Sequence, residues 1–245
     1  MKDQNGGGNL NYLQMLSKLG IGGAHPGGIS LTKAIFDQEQ FPINHIVLDA
    51  GCGTGQTCYY LYQLGYDVIG LDFDSLMIKH AKKRNMECLS DILYLQEDLS
   101  STSLSDQSVD IILCESVLNF TKLENTLIEL KRILKQNGVI IAIEMVQKEP
   151  LFDSEYAEIT SFYGFPAILS IEEWEKVFKQ YGLTIFKIQS EDDFPSINIE
   201  EPTTEFHITD STPQTAFDLL SKHEQLTLEY KEKLSYRIFF ARLTV

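Results

Sequence analysis

Three glycines stand on alternate positions in the stretch HIVLDAGCGTGQTCYYL, which runs from His45 to Leu61: Gly51, Gly53 and Gly55. An apolar run precedes them and a helical pattern follows. Glycine weakens both helices and strands. Three of them at this junction therefore mark a sharp strand-to-helix turn with bare backbone. The first N–H groups of a helix point outward without partners, which favours a ligand there. In an open α/β sheet, such turns lie at the carboxyl ends of the strands, where ligands bind.

The rest of the chain fits that frame. Leu13, Leu16 and Leu19 predict a short helix over 10–19, and Ile29 to Gln38 predicts a second. The loop GIGGAHPGG separates them. Short apolar runs at HIVLDA, DVIGLD, ILYLQ, VDIILCE and VIIAIEMV read as five buried strands. Helices are expected over 56–64 and from an Asp74 N-cap to about Arg84. Leu123, Leu127, Leu130 and Leu134 follow helical spacing, with a stop at Asn137-Gly138. Ser170 and Glu173 form a capping-box pair that opens another helix. LTIFKIQ, a helix over about 214–233 and the strand YRIFFARLTV follow. Strand-helix alternation implies right-handed crossovers and a parallel sheet covered on both faces. The last two strands need not be parallel, because no ordinary crossover helix separates them. The expected organisation is an N-terminal helical lid over 1–40 and one domain over 41–245, with insertions at about 147–169 and 191–233. The N-terminal MKDQNGGGNL reads as a ragged lead-in.

Charge and composition exclude several functions. A formal net charge of −15 argues against nucleic acid, which needs a basic face. The one dense basic run, Lys79 to Arg84, ends a predicted helix, where cations suit the macrodipole. No apolar run approaches the ~20 residues that span a bilayer, and the N-terminus lacks a secretory signal pattern. Cys52, Cys58, Cys88 and Cys114 form no CxxC pair. They read as thiols in a reducing, cytoplasmic compartment, with no metal expected.

The acids narrow the ligand. A dinucleotide fingerprint is G-x-G-x-x-G, whereas Gly51-Cys52-Gly53-Thr54-Gly55 is one residue tighter. Asp49 sits just before the first glycine, where it would repel a pyrophosphate and suit a cationic amino group. No P-loop pattern exists. Asp72 ends the second strand, placed to accept from ribose hydroxyls. Asp98 follows the third strand, placed to accept from an adenine amino group. Asp49 and Asp72 could instead cap adjacent turns, and Glu97 makes the register at Asp98 uncertain by one residue. A ligand with an amine, a ribose and an adenine but no pyrophosphate is S-adenosylmethionine.

LDAGCGTG, VIGLDFDSLMI, YLQEDLSSTSLSDQSVDIILCESVLNF and LKRILKQNGVIIAIE, in this order, resemble the class I S-adenosylmethionine-dependent methyltransferases, especially the small-molecule group. The likeness covers about Ile46 to Glu144. It implies an α/β fold: a Rossmann-like, seven-stranded, mostly parallel sheet with helices on both faces and the last strand antiparallel. It also implies site roles. Asp49, Gly51, Cys52 and Gly53 would line the methionine end of the cofactor. Asp72 would hold the ribose, with Phe73 beside the adenine and Met77 near it. Asp98 and the Leu99 backbone would read the adenine edge. Cys114 and Glu115 would sit near the sulfonium and amino group. Phe73 and Met77 could equally be ordinary core residues.

The implied reaction moves a methyl group to a small-molecule acceptor by in-line displacement. The alternative is a non-catalytic cofactor- or partner-binding protein on the same scaffold. Some members of the family carry a histidine just after the fourth strand, where this chain has Asn119-Phe120. His25, in the glycine-rich loop, is the remaining candidate base, or else a structural loop histidine. His45, His80, His207 and His223 read as incidental. Phe152, Tyr156, Phe162, Tyr163 and Phe165 could wall a substrate pocket or form a satellite core. The acidic stretch from Glu191 to Asp210 could favour a cationic substrate or be a solvated loop. The sequence names neither the acceptor nor the oligomeric state.

Overall fold

Seven strands form a single sheet in the order β3-β2-β1-β4-β5-β7-β6. They are β1 (Ile46–Ala50), β2 (Asp67–Asp72), β3 (Leu93–Gln96), β4 (Val109–Glu115), β5 (Leu134–Gln147), β6 (Leu183–Gln189) and β7 (Leu234–Leu243). The computed structural model describes residues 10–194 and 204–244. Residues 1–9 of the lead-in and residues 195–203 of the acidic stretch lie outside the described residues. Strands β1 to β5 run parallel, and β7 is antiparallel to both β5 and β6. Strand order reverses between β1 and β4, the usual place for a ligand crevice.

Period-2 alternation assigns each strand residue to one of two cores. One face carries Val47, Ile111, Leu113, Ile141 and Phe240. It packs against α2 (Gly28–Glu39), α3 (Gln56–Gln63) and α4 (Ser75–Cys88). The other face carries Leu48, Ile112, Cys114, Ala142 and Phe239, under α5 (Leu123–Ile133) and α7 (Ile171–Gln180). A third cluster joins α1 (Tyr12–Leu19), α6 (Asp153–Tyr163) and α8 (Gln214–Tyr230) through Tyr12, Met15, Ile159, Tyr163, Leu226 and Tyr230. The expected caps form: Asp74 accepts from the Leu76 and Met77 N–H groups, and Ser170 accepts from Glu173 N.

One expectation changes. The leucine spacing continues the fifth helix through Leu134, but α5 ends at Ile133 and Leu134 opens β5 opposite Val109. Gly138 is not a helix stop. A Cβ there would press on Leu134 and on the Asp110 carbonyl, so glycine serves a close approach near the irregularity between Val109 and Ile111. The aromatic segment after β5 is a helix, α6, closed by Gly164 at φ 79°. Its aromatic content masks the acid-first, glycine-last signals of a helix. Among the described residues, no helix is long and apolar enough to cross a membrane.

Candidate active site

The glycine turn between β1 and α3 uses all three glycines in the left-handed region, at φ 78°, 51° and 76° for Gly51, Gly53 and Gly55. Their spatial reasons differ. A Cβ at Gly51 would collide with Val117, and one at Gly55 with the Tyr94 ring. A Cβ at Gly53 would meet nothing, because that residue faces a cavity. Bare backbone therefore opens to a ligand at Gly53, while its neighbours make room for the protein itself. No side chain caps α3.

Carboxylates gather around this turn. Asp72 accepts from Gly53 N at 2.9 Å and Asp74 N at 2.8 Å, tying two strand-end turns together. Burial pushes its pKa up to about 6 against those two hydrogen bonds. Asp49 accepts from the Cys58 thiol at 3.0 Å. Burial first, and then the charge of Glu115, push Asp49 up to about 8. Glu115 accepts from the Thr32 hydroxyl and, at 2.8 Å, from Thr57. His25 Nε2 lies 3.3 Å from Glu115 without the alignment of a hydrogen bond, while Nδ1 contacts the Pro26 carbonyl at 3.1 Å. Asp98 accepts from both the N–H and hydroxyl of Ser100, which hold its pKa below the usual range. Glu97 accepts from the N–H and hydroxyl of Ser103, and both acids border the cavity.

The cavity has a volume of about 1360 Å³ and runs from the glycine turn to the cluster of α1, α6 and α8. Asp49, Gly51, Cys52, Gly53, Asp72, Phe73, Met77, Asp98, Leu99, Glu115 and His25 all line it. Cys114 does not. Strand alternation turns its side chain to the opposite face of Glu115, into the core with Leu48 and Ala50, where burial drives the thiol pKa well up. The turn after β4 is held by Glu144, whose buried carboxylate accepts the N–H groups of Val117, Leu118 and Asn119. Val117, Asn119 and Phe120 present that turn to the cavity.

Sequence reasoning missed the far wall. Tyr12, His223, Leu226 and Tyr230 line it together with Tyr163 and Phe165. The aromatic run around Tyr163 pointed there, but His223 reads as incidental until α8 is seen packed against α6. Beside the cavity, Gly22 and Glu205 exchange backbone hydrogen bonds at 3.1 and 3.2 Å, and Glu205 pairs with Arg84. Arg84 also donates Nε–H to the Thr54 carbonyl at 3.1 Å.

These residues fit S-adenosylmethionine. Asp49 and Glu115 suit an ammonium group, Asp72 suits a diol, and Gly53 allows close main-chain contact. The buried Thr54 hydroxyl and His25 Nε2 border the cavity without a hydrogen-bond partner among the described residues. A family profile described as a methyltransferase domain matches residues 48–142. The chain is 37% identical over 230 residues to the uncharacterized methyltransferase YodH of Bacillus subtilis (strain 168), covering 94% of this chain and 98% of that one. It is 36% identical over 95 residues to a malonyl-[acyl-carrier protein] O-methyltransferase of Pectobacterium atrosepticum, covering 38% of this chain and 36% of that one.

Geranyl diphosphate C-methyltransferase of Streptomyces coelicolor A3(2), crystallised with S-adenosyl-L-homocysteine, shares the fold at TM-score 0.67 and 16% identity, over 87% of this chain and 79% of that one. So does the [4+2]-cyclase SpnF, at TM-score 0.65 and 17% identity, over 88% and 80%. Likeness at that level speaks for the fold alone. The near-full-length relative decides the matter, and favours catalysis over a purely binding role: the chain belongs to the class I S-adenosylmethionine-dependent methyltransferases.

Proposed function

We propose that the enzyme methylates a small-molecule acceptor seated in the aromatic half of the cavity. The carrying observation is one continuous cavity of about 1360 Å³ joining the glycine turn to the aromatic wall. A pocket for one ligand holds roughly 300–1,000 Å³, so this one has room for cofactor and acceptor together.

When bound, S-adenosylmethionine supplies a methyl group on a sulfonium leaving group. The chain's own residues bind and orient. Asp49 and Glu115 hold the amino cation, with the backbone of Gly51, Cys52 and Gly53 against the methionine end. Asp72 accepts from the ribose hydroxyls. Phe73 and Met77 flank the adenine, whose edge Asp98 and the Leu99 backbone read. Holding the acceptor in line at short range supplies most of the rate gain.

His25 is the candidate base for an acceptor that must lose a proton. Its Nε2, which borders the cavity without a hydrogen-bond partner among the described residues, is the atom that would take up that proton. The lid over 1–40 acts through its described part. Ser17 of α1 donates to Asp74 at 2.9 Å, and Gly22 pairs with Glu205, so the lid is tied to the elements beside the cofactor end of the cavity. The insertions contribute α6 and α8 to the acceptor wall. The acidic surface supports a free metabolite over nucleic acid as partner, and four unpaired cysteines support work in the cytoplasm.

Calorimetry tests the reading. S-adenosylmethionine should bind, and Asp72→Ala should weaken it by about ten- to a hundredfold, the worth of hydrogen bonds to a charged group. Absent heat with that compound, together with tight binding of a nicotinamide dinucleotide, would overturn it.

A further inference from the structure

We infer that the chamber bounded by α1, α6 and α8 selects an uncharged, ring-bearing acceptor whose hydroxyl is gripped by the Tyr163–His223 pair. The inference rests on the methyltransferase reading and specifies its substrate class.

The wall is aromatic. Tyr12 meets Tyr163 edge-on at 4.8 Å and lies tilted to His223 at 5.3 Å between ring centroids, and Tyr163 stacks on Phe165 at 5.0 Å. Phe120 meets Phe165 edge-on at 4.8 Å. Such surfaces favour a flat apolar body by area and by ring-edge geometry. Within this wall, Tyr163 Oη and His223 Nδ1 lie 3.0 Å apart, a hydrogen-bonded pair whose members both border the cavity.

The proton inventory of that pair fixes what it complements. Burial lowers the His223 pKa and raises that of Tyr163, so both are neutral at pH 7. After their mutual hydrogen bond, and with Thr227 as a further partner of the Tyr163 hydroxyl, they retain one donor and one acceptor. A hydroxyl offers the matching acceptor and donor, whereas a carboxylate offers acceptors alone.

Charge around the cavity points the same way. Among the described wall residues the lysines are Lys122 and Lys231, while Glu115, Glu191 and Glu224 add to the aspartates already named. Acids outnumber these two lysines on the cavity wall as a whole, which disfavours an anionic acceptor on its way in. The Tyr163–His223 pair is a specificity determinant, and no chemical step is assigned to it.

The test uses the full chain saturated with S-adenosylhomocysteine and three probes of similar ring size: 4-methylphenol, toluene and phenyl phosphate. Affinities are read by ligand-observed NMR. 4-Methylphenol should bind at least about tenfold more tightly than phenyl phosphate, given the cost of desolvating a phosphate against an aromatic wall. Tyr163→Phe and His223→Leu should each weaken 4-methylphenol by about five- to tenfold, the worth of one hydrogen bond. Toluene binding to Tyr163→Phe should not change, a selectivity that a merely structural role would not produce. Should His223→Leu fail to fold, Tyr163→Phe carries the test alone.

Failure of S-adenosylhomocysteine to bind in calorimetry sinks the methyltransferase reading and this inference with it. Retained binding, with phenyl phosphate preferred, with 4-methylphenol not bound, or with 4-methylphenol and toluene equally affected by Tyr163→Phe, overturns the inference alone.

Discussion

Asp49 and Asp72 are held on the protonated side of ordinary carboxylates, at about 8 and about 6, chiefly by burial. A cofactor with an ammonium and a ribose diol favours their ionised forms. Affinity for S-adenosylmethionine should therefore rise with pH in two steps, near 8 and near 6, each up to about tenfold per pH unit below its midpoint. Asp49→Asn should abolish the upper step and Asp72→Asn the lower. At pH 7, calorimetry in buffers of different ionisation heat should show proton release, and identical heats would refute the pairing. The empty protein behaves in the opposite sense. Both folded values exceed the unfolded ones, so its stability falls as pH rises through them. The carboxylates were readable because strand ends are readable. Cys114 was misplaced although period-2 alternation separates it from Glu115, and His223 carried no local mark at all.

The glycine turn is the element on which the site depends, and its three glycines should respond differently to one added methyl. Gly55→Ala forces a left-handed alanine against Tyr94 and should cost stability, about 1–2 kcal/mol from the backbone alone. The collision adds to that. Gly53→Ala carries the backbone cost without a collision, but its Cβ enters the cavity. It should weaken cofactor binding far more than it lowers the denaturation midpoint. Equal effects of the two substitutions on both readouts would contradict the division. Such turns are legible because glycine at a strand-helix junction has few other uses. The boundary between α5 and β5 was not, since Leu134 satisfies helical spacing and strand burial alike. The helix α6 was hidden in the same way, by aromatic residues that suit a pocket wall and a helix core equally.

At the scale of the molecule, alternation of strand and helix exposed the parallel half of the sheet. The acceptor wall stayed out of sight because it is assembled from segments over 12–19, 153–163 and 214–230, whose contacts leave no local period. The strand β7 lies between β5 and β6 and binds both. Trp174, the single tryptophan, is fully buried with its ring 5.8 Å from Phe239 of β7, so its fluorescence reports whether that strand is seated. A chain stopped at Lys233 should emit at the red-shifted wavelength of a wetted indole. An unshifted spectrum would mean that the sheet closes without its penultimate member.

That placement has a consequence in time. A ribosome delivers residues in order, at about 5–20 per second, and β6 emerges with no neighbour of its own to hold. It must wait, with α7 beside it, while α8 is made. Only when residues 234–243 slide in does the late half of the sheet acquire a middle. A nascent chain paused before that point would offer two unclaimed strand edges, at β5 and at β6, to any chaperone or stray polypeptide nearby.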